Sequence, residues 1–212
     1  MKSPNGEKKP SSSNNFIKLL SFGRPGFISD VFYCFLFFFR GLDMPRVFAA
    51  LMLPHDVCDS LAREAKGFAR FDPLARFEPS TNLHITLAYL GDVSSSDAQR
   101  LSAAIRPLGS LIPRNVTISR LGTFDRHHLL YASITPAEAL DPVAAEVRAT
   151  IERLGLTYDK KPFKPHLTLA RNWRRGYPMA TLTTRTVRLG GPILLESVQD
   201  PRTRCIRYRQ II

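Results

Sequence analysis

The sequence predicts an α+β fold of two lobes related by a pseudo-twofold axis, each lobe a small antiparallel sheet backed by helices, with a cleft between them. Three observations lead there. Strand-like and helix-like runs alternate from Arg46 onward, the order strand–helix–strand occurs twice, and the two copies register. Ala50 and Ala132, Pro54 and Pro136, His84 and His166, Thr86 and Thr168, and Ala88 and Ala170 all stand 82 residues apart. Matching flanks at one spacing mark a duplicated unit rather than two chance motifs.

Within the first copy, Val47–Leu53 reads as a buried strand closed by Pro54. A helix follows from about Asp56 to Phe68, with Leu61, Ala65 and Phe68 on one stripe, and a strand carries His84–Ala88. Ser96-Asp97-Ala98-Gln99 can cap a second helix running to Ile105 or Pro107. Asn115–Phe124 looks like a strand, and Asp125–His128 like the hairpin turn into Leu129–Thr135. In the second copy, Thr135-Pro136-Ala137-Glu138 has the form of a capping box with proline at the first helical position. Its helix should reach Leu154 and stop at Gly155, before the strand His166–Ala170. Thr184–Leu189, Pro192–Val198 and Arg204–Ile212 read as closing strands.

The first 43 residues read as a separate, non-globular extension. Residues 1–15 are rich in Ser, Asn and Lys, too polar to offset chain entropy by burial. The apolar run Val31–Phe39 is nine residues long, against about 20 for a membrane span. Arg40-Gly41-Leu42-Asp43 is a poor cleavage site for a signal peptide. A start at Met44 is the expected reading, with a peripheral membrane helix and a signal sequence as the alternatives.

The chain carries a formal charge of +12, of which residues 1–43 supply +3. The excess positive charge therefore sits on the folded body and favours a phosphate-bearing partner, without choosing among RNA, DNA and anionic lipid. Three cysteines, Cys34, Cys58 and Cys205, are an odd set with no C-x-x-C spacing. They argue against a disulfide framework or a zinc knuckle and fit a reducing cytoplasm.

The chemistry is concentrated in the duplicated H-x-T strands. Side chains alternate along a strand, so His84 and Thr86 share one face while Ile85 and Leu87 share the other, and likewise His166 and Thr168 against Leu167 and Leu169. The apolar faces suit the core, which leaves the His/Thr faces for the cleft. Two imidazoles suit acid–base work at neutral pH, one taking a proton from a nucleophile and the other giving one to a leaving oxygen. Threonine hydroxyls can donate to non-bridging phosphate oxygens. One H-x-T is an ordinary surface pair; two in registered repeats are not. Two histidines can also suggest a metal, but no further His or carboxylate stands at ligand spacing on either strand. His127 and His128 could add a ligand, though adjacent residues in a turn read more simply as turn polarity, and His55 as part of a helix start.

The segments Asn82-Leu-His-Ile-Thr-Leu-Ala-Tyr-Leu-Gly91 and Phe163-Lys-Pro-His-Leu-Thr-Leu-Ala-Arg171 resemble the paired motifs of the 2H phosphoesterase superfamily. They are most similar to its LigT/ThpR group of RNA 2′,3′-cyclic phosphodiesterases, over residues 44–212. That resemblance implies a bilobal α+β fold and opening of 2′,3′-cyclic phosphate ends of RNA to 2′-phosphomonoesters without metal or cofactor. Reversible 2′–5′ RNA ligation occurs in some members. It also implies His84 as proton donor and His166 as proton acceptor, Thr86 and Thr168 on the phosphate, and Lys164 and Arg171 as further phosphate contacts. Simple alternation puts Arg171 on the face opposite His166, so its role depends on twist or reach. The partners expected are RNA ends or a nucleotide cyclic phosphate, with the protein a monomer. Other readings are a phosphodiesterase acting on a cyclic-phosphate nucleotide or 2′–5′ oligoadenylate, and a non-catalytic RNA-end binding module. The family has no counterpart to the first 43 residues and usually ends in a longer apolar segment, which implies a looser last strand here.

Overall fold

The computed structural model describes residues 45–176 and 180–212. The expectations for residues 1–43 and for a start at Met44 lie outside the described residues. From Pro45 onward the described chain forms one compact unit. Among the described residues no helix is long and apolar enough to cross a membrane.

The described residues form nine strands: β1 (Arg46–Met52), β2 (Arg76–Phe77), β3 (His84–Asp92), β4 (Val116–Phe124), β5 (Leu129–Thr135), β6 (His166–Arg171), β7 (Arg185–Val187), β8 (Pro192–Gln199) and β9 (Ile206–Ile211). They make one antiparallel sheet in the order β7-β4-β5-β6-β3-β1-β8-β9, with β2 also paired to β6. The two expected lobe sheets are thus the two halves of a single sheet. Their seam is the pairing of β3 with β6 at Ile85 and Leu167. Those residues are themselves 82 apart, so an antiparallel pair of equivalents sits on the pseudo-twofold axis.

Among the described residues three α-helices, α1 (His55–Lys66), α2 (Ser95–Ile105) and α3 (Asp141–Arg153), cover one face. Each buries one stripe: Cys58, Leu61 and Ala65 on α1, Ala98, Leu101 and Ile105 on α2, and Val143, Val147 and Ile151 on α3. These join Ile85, Leu87, Leu167 and Leu169 in the main core. Burying a Leu or Ile side chain contributes about 1.5–3 kcal/mol, so this face holds the two halves together. Burial also pushes the Cys58 thiol up to about 11, which leaves it inert at neutral pH.

Helix ends differ from expectation where local polar chemistry competes. α1 stops at Lys66 and tightens into a 3₁₀ turn over Gly67–Arg70 instead of running on to Phe68. α2 is capped by Ser94, whose hydroxyl accepts from the Asp97 amide at 3.1 Å, rather than by Ser96. The Thr135–Glu138 box caps no helix: a 3₁₀ turn over Ala137–Leu140 intervenes, and α3 begins at Asp141 with Pro142 in its first turn. Gly155 does end α3, at φ +73°, with its amide on the Glu152 carbonyl and the Leu156 amide on that of Ile151. β9 pairs with β8 from Ile206 to Ile211.

The repeat is less uniform than the sequence suggests. Met52 pairs with His84 and Ser133 with His166, so β1 and β5 correspond at an offset of 81. Ala49, Leu51 and Leu53 then match Leu130, Ala132 and Ile134, all on the core side. Matching Ala50 to Ala132 would set a cleft-side residue against a core-side one, because a one-residue slip reverses every face. The second half takes up its extra residue at Thr135, the last of β5, which restores the offset of 82 at Pro136.

Candidate active site

The face of the sheet without helices carries the duplicated polar residues. Continuing the Ile85–Leu167 register sets His84 opposite Thr168 and His166 opposite Thr86. The two histidines lie diagonally across the seam, where Cα atoms stand about 7–8 Å apart. Both rings therefore rise from the same face on either side of the axis. His84 lines one pocket with Thr86, Thr168, Arg171 and Tyr208, and His166 lines the adjoining one with Thr86 and Lys164. Thr86 and Tyr89 border both.

Each ring is held in the same way. His84 Nδ1 lies 2.7 Å from the Asn82 carbonyl, and His166 Nδ1 lies 2.7 Å from the Lys164 carbonyl. A carbonyl only accepts, so Nδ1 carries the hydrogen and Nε2 is left for chemistry. At His84, the Thr86 hydroxyl stands 3.1 Å from Nε2. Aromatic rings brace both imidazoles: Phe48 and Tyr208 at centroid distances of 4.9 Å from His84, Phe124 at 4.9 Å and Tyr131 at 5.5 Å from His166.

Enclosure lowers the proton affinity of both rings. Burial pushes His84 down to about 4, with Arg171 and His166 adding to the fall, while the Asn82 carbonyl and Glu78 oppose it. Burial also lowers His166, again aided by Arg171 and opposed by the Lys164 carbonyl. The enclosure thus favours two neutral imidazoles at pH 7, and a phosphate anion between them would favour a proton on one.

A bulge corrects the expectation for Arg171. Between Ala49 and Ala50 the partner on β3 skips from Ala88 to Thr86, and between Leu130 and Tyr131 the partner on β6 skips from Ala170 to Thr168. Leu87 and Leu169, equivalent residues, are each the extra one. Two consecutive core-facing residues shift the phase, so Tyr89 and Arg171 come out on the histidine side and both line the His84 pocket. Neither twist nor reach is needed. Arg171 Nε donates to Glu78 Oε1 at 2.5 Å, and its Nη2 stands 3.5 Å from the Tyr208 hydroxyl.

Of the remaining candidates, Lys164 borders the His166 pocket with an exposed side chain. His127 lines that pocket, His128 takes a left-handed turn at φ +52°, and His55 is exposed at the start of α1. Among the described residues no three His, Cys, Asp or Glu side chains gather as a metal site. Sequence reading missed Glu78, Asn82, Phe48, Phe124, Tyr131 and Tyr208. Glu78 is buried and also accepts from Asn82 Nδ2 at 3.1 Å. Its signal was slight: a charged residue six before the histidine in a segment without periodicity.

The comparisons agree with this fold. An RNA 2′,3′-cyclic phosphodiesterase of Escherichia coli (strain K12) is 30% identical over 132 residues, covering 60% of this chain and 72% of that one. An enzyme of the same name from Geobacillus stearothermophilus is 26% identical over 144 residues; the match covers 66% of this chain but only 46% of that relative's length. The crystal structure of E. coli LigT complexed with 3′-AMP superposes with a TM-score of 0.63 at 24% identity, over 79% of this chain and 95% of the other. The family model of the 2′-5′ RNA ligase superfamily matches residues 53–185, a span that takes in both histidine strands. With that match covering more than half of its length, this chain belongs to the 2′-5′ RNA ligase superfamily.

Proposed function

We propose that residues 44–212 open 2′,3′-cyclic phosphate ends of RNA to 2′-phosphomonoesters by acid–base catalysis between His84 and His166, without a metal ion. One observation carries this reading: two equivalent imidazoles, each with Nδ1 fixed on a carbonyl, flank the seam where a phosphate can sit between their Nε2 atoms. The names of the relatives support the same substrate class.

In the forward direction, His166 Nε2 takes a proton from water as the oxygen attacks phosphorus. The P–O3′ bond breaks on the far side, and His84 Nε2–H gives its proton to O3′. Because burial pushes His84 down to about 4, its donor role depends on the bound phosphodiester anion raising its affinity for the proton. Arg171, at the rim of the His84 pocket, and the hydroxyls of Thr86 and Thr168 neutralise and orient the non-bridging oxygens, and Lys164 adds a cation on the other flank. Each placed proton transfer is worth about 10²–10⁴-fold.

The test is product analysis on an oligonucleotide with a 2′,3′-cyclic end. The wild type should yield a 2′-phosphate and lose nothing in EDTA, whereas His84→Ala and His166→Ala should each fall by at least about 10²-fold. Equal turnover by either variant, or a 3′-phosphate product, contradicts the proposal.

A further inference from the structure

The carbonyls that hold the two imidazoles are themselves equivalent: Asn82 and Lys164 stand 82 residues apart, each two before its histidine. What stiffens them differs. In the second copy Pro165 comes next; its ring fixes φ and confines Lys164 to extended backbone, so that carbonyl is set without help from a side chain. The Lys164 side chain is accordingly exposed. In the first copy Leu83 takes the proline's place and imposes no such limit.

There the side chain of Asn82 does the fixing. Asn82 is buried at the end of the 3₁₀ turn Ser80–Asn82, directly before β3. Both hydrogens of its Nδ2 are used, one on Glu78 Oε2 at 3.1 Å and one on the Ile206 carbonyl of β9 at 2.9 Å. Both partners are acceptors, so the amide cannot be turned round. Asn82 Oδ1 is then left buried without a partner among the described residues. Packing gives no reason for that orphan, because an apolar side chain would leave none. The two bonds also tie His84 to the rest of its pocket: Glu78 holds Arg171 Nε with its other oxygen, and β9 carries Tyr208, whose ring lies edge-on to His84 at 4.9 Å. One amide joins the turn that orients the imidazole, the acid that holds the guanidinium and the strand that walls the ring.

We infer that Asn82 is a positioning residue: its side chain fixes the carbonyl that holds His84 Nδ1–H, and so keeps Nε2 turned to the phosphate in one tautomer and one orientation. This rests on the cyclic phosphodiesterase reading. The asparagine side chain does for the first histidine what the proline ring does for the second.

The experiment follows the imidazole 15N signals of the full-length protein, which separate the two neutral tautomers, at about pH 7.5, above the ordinary histidine value, beside turnover of an RNA ending in a 2′,3′-cyclic phosphate. Wild-type His84 should be the Nδ1–H form alone. Asn82→Ala should turn it into a mixture and lower kcat about tenfold or more, with KM held within about threefold. Asn82→Ser, which keeps one donor in place of two, should lie between. Lys164→Ala should leave the His166 tautomer unmoved. A wild-type His84 that is already a mixture would overturn the inference without any variant. So would Asn82→Ala with His84 still in one tautomer, or with kcat unchanged, and either result would leave the cyclic-end reading standing. A wild type inert on the cyclic end would overturn that reading and the positioning role with it.

Discussion

At the scale of single residues, the site is governed by how each polar group is enclosed. His84 is neutral in the folded protein until pH falls to about 4, whereas an unfolded histidine protonates near 6.5. A depressed folded value means that its contribution to stability is complete above pH 6.5 and is lost as pH falls toward 4, with a ceiling of about 3 kcal/mol. Thermal melts of wild type and His84→Phe should diverge over that window, the variant losing less on acidification; parallel curves would contradict the assignment. Activity titrates in the same range. kcat/KM reports the free site, where both imidazoles hold a proton less well than an ordinary histidine, so it should already be declining before pH reaches about 6.5, while kcat, which reports the phosphate-bound state, should hold to higher pH. Glu78 acts through Arg171: Glu78→Gln keeps the shape but frees the guanidinium, so KM for a cyclic-ended RNA should rise several-fold with little change in kcat. The histidine and threonine pairs were legible because duplication makes a rare pattern twice. Glu78 and Tyr208 were not, since they reach Arg171 across 93 and 37 residues and only the closed sheet brings them there.

Elements show where pattern reading succeeds and where it slips. The core strands and all three helices were legible from period-2 and 3.6-residue patterning, because half-buried elements must present one apolar face. The bulges at Leu87 and Leu169 were not, because two consecutive apolar residues read equally well as a continuing buried strand. Nor was the displaced start of α3, where the 3₁₀ turn after Pro136 takes over the segment that the capping box marked. Gly122 shows how one small residue sets an element pair. It faces Tyr131 across β4 and β5, and a Cβ there would come within 2.3 Å of the Tyr131 ring. That ring stacks on Phe124 at 4.4 Å and abuts His166. Gly122→Ala must therefore move the tyrosine, and kcat should fall several-fold with a stability loss of about 1–3 kcal/mol. An unchanged kcat would mean that the aromatic brace does not orient His166.

For the whole molecule, the charge of residues 44–212, +9, is the long-range counterpart of the site. A basic body meets polyanions by releasing counterions, so kcat/KM for a cyclic-ended oligonucleotide should fall steeply between 50 and 200 mM salt, while that for a cyclic mononucleotide should barely move. Similar slopes would mean that the body adds nothing beyond the cleft. The halves themselves are near-copies with one discrepancy, the offset of 81 in the outer strands against 82 at the histidines. A designer who spliced two identical N-terminal halves in tandem would thus not recreate this protein's asymmetry. Such a symmetrised chain would carry Tyr89 at both rims in place of the Tyr89/Arg171 couple, leaving two matched imidazoles with no guanidinium to tell the proposed donor side from the proposed acceptor side.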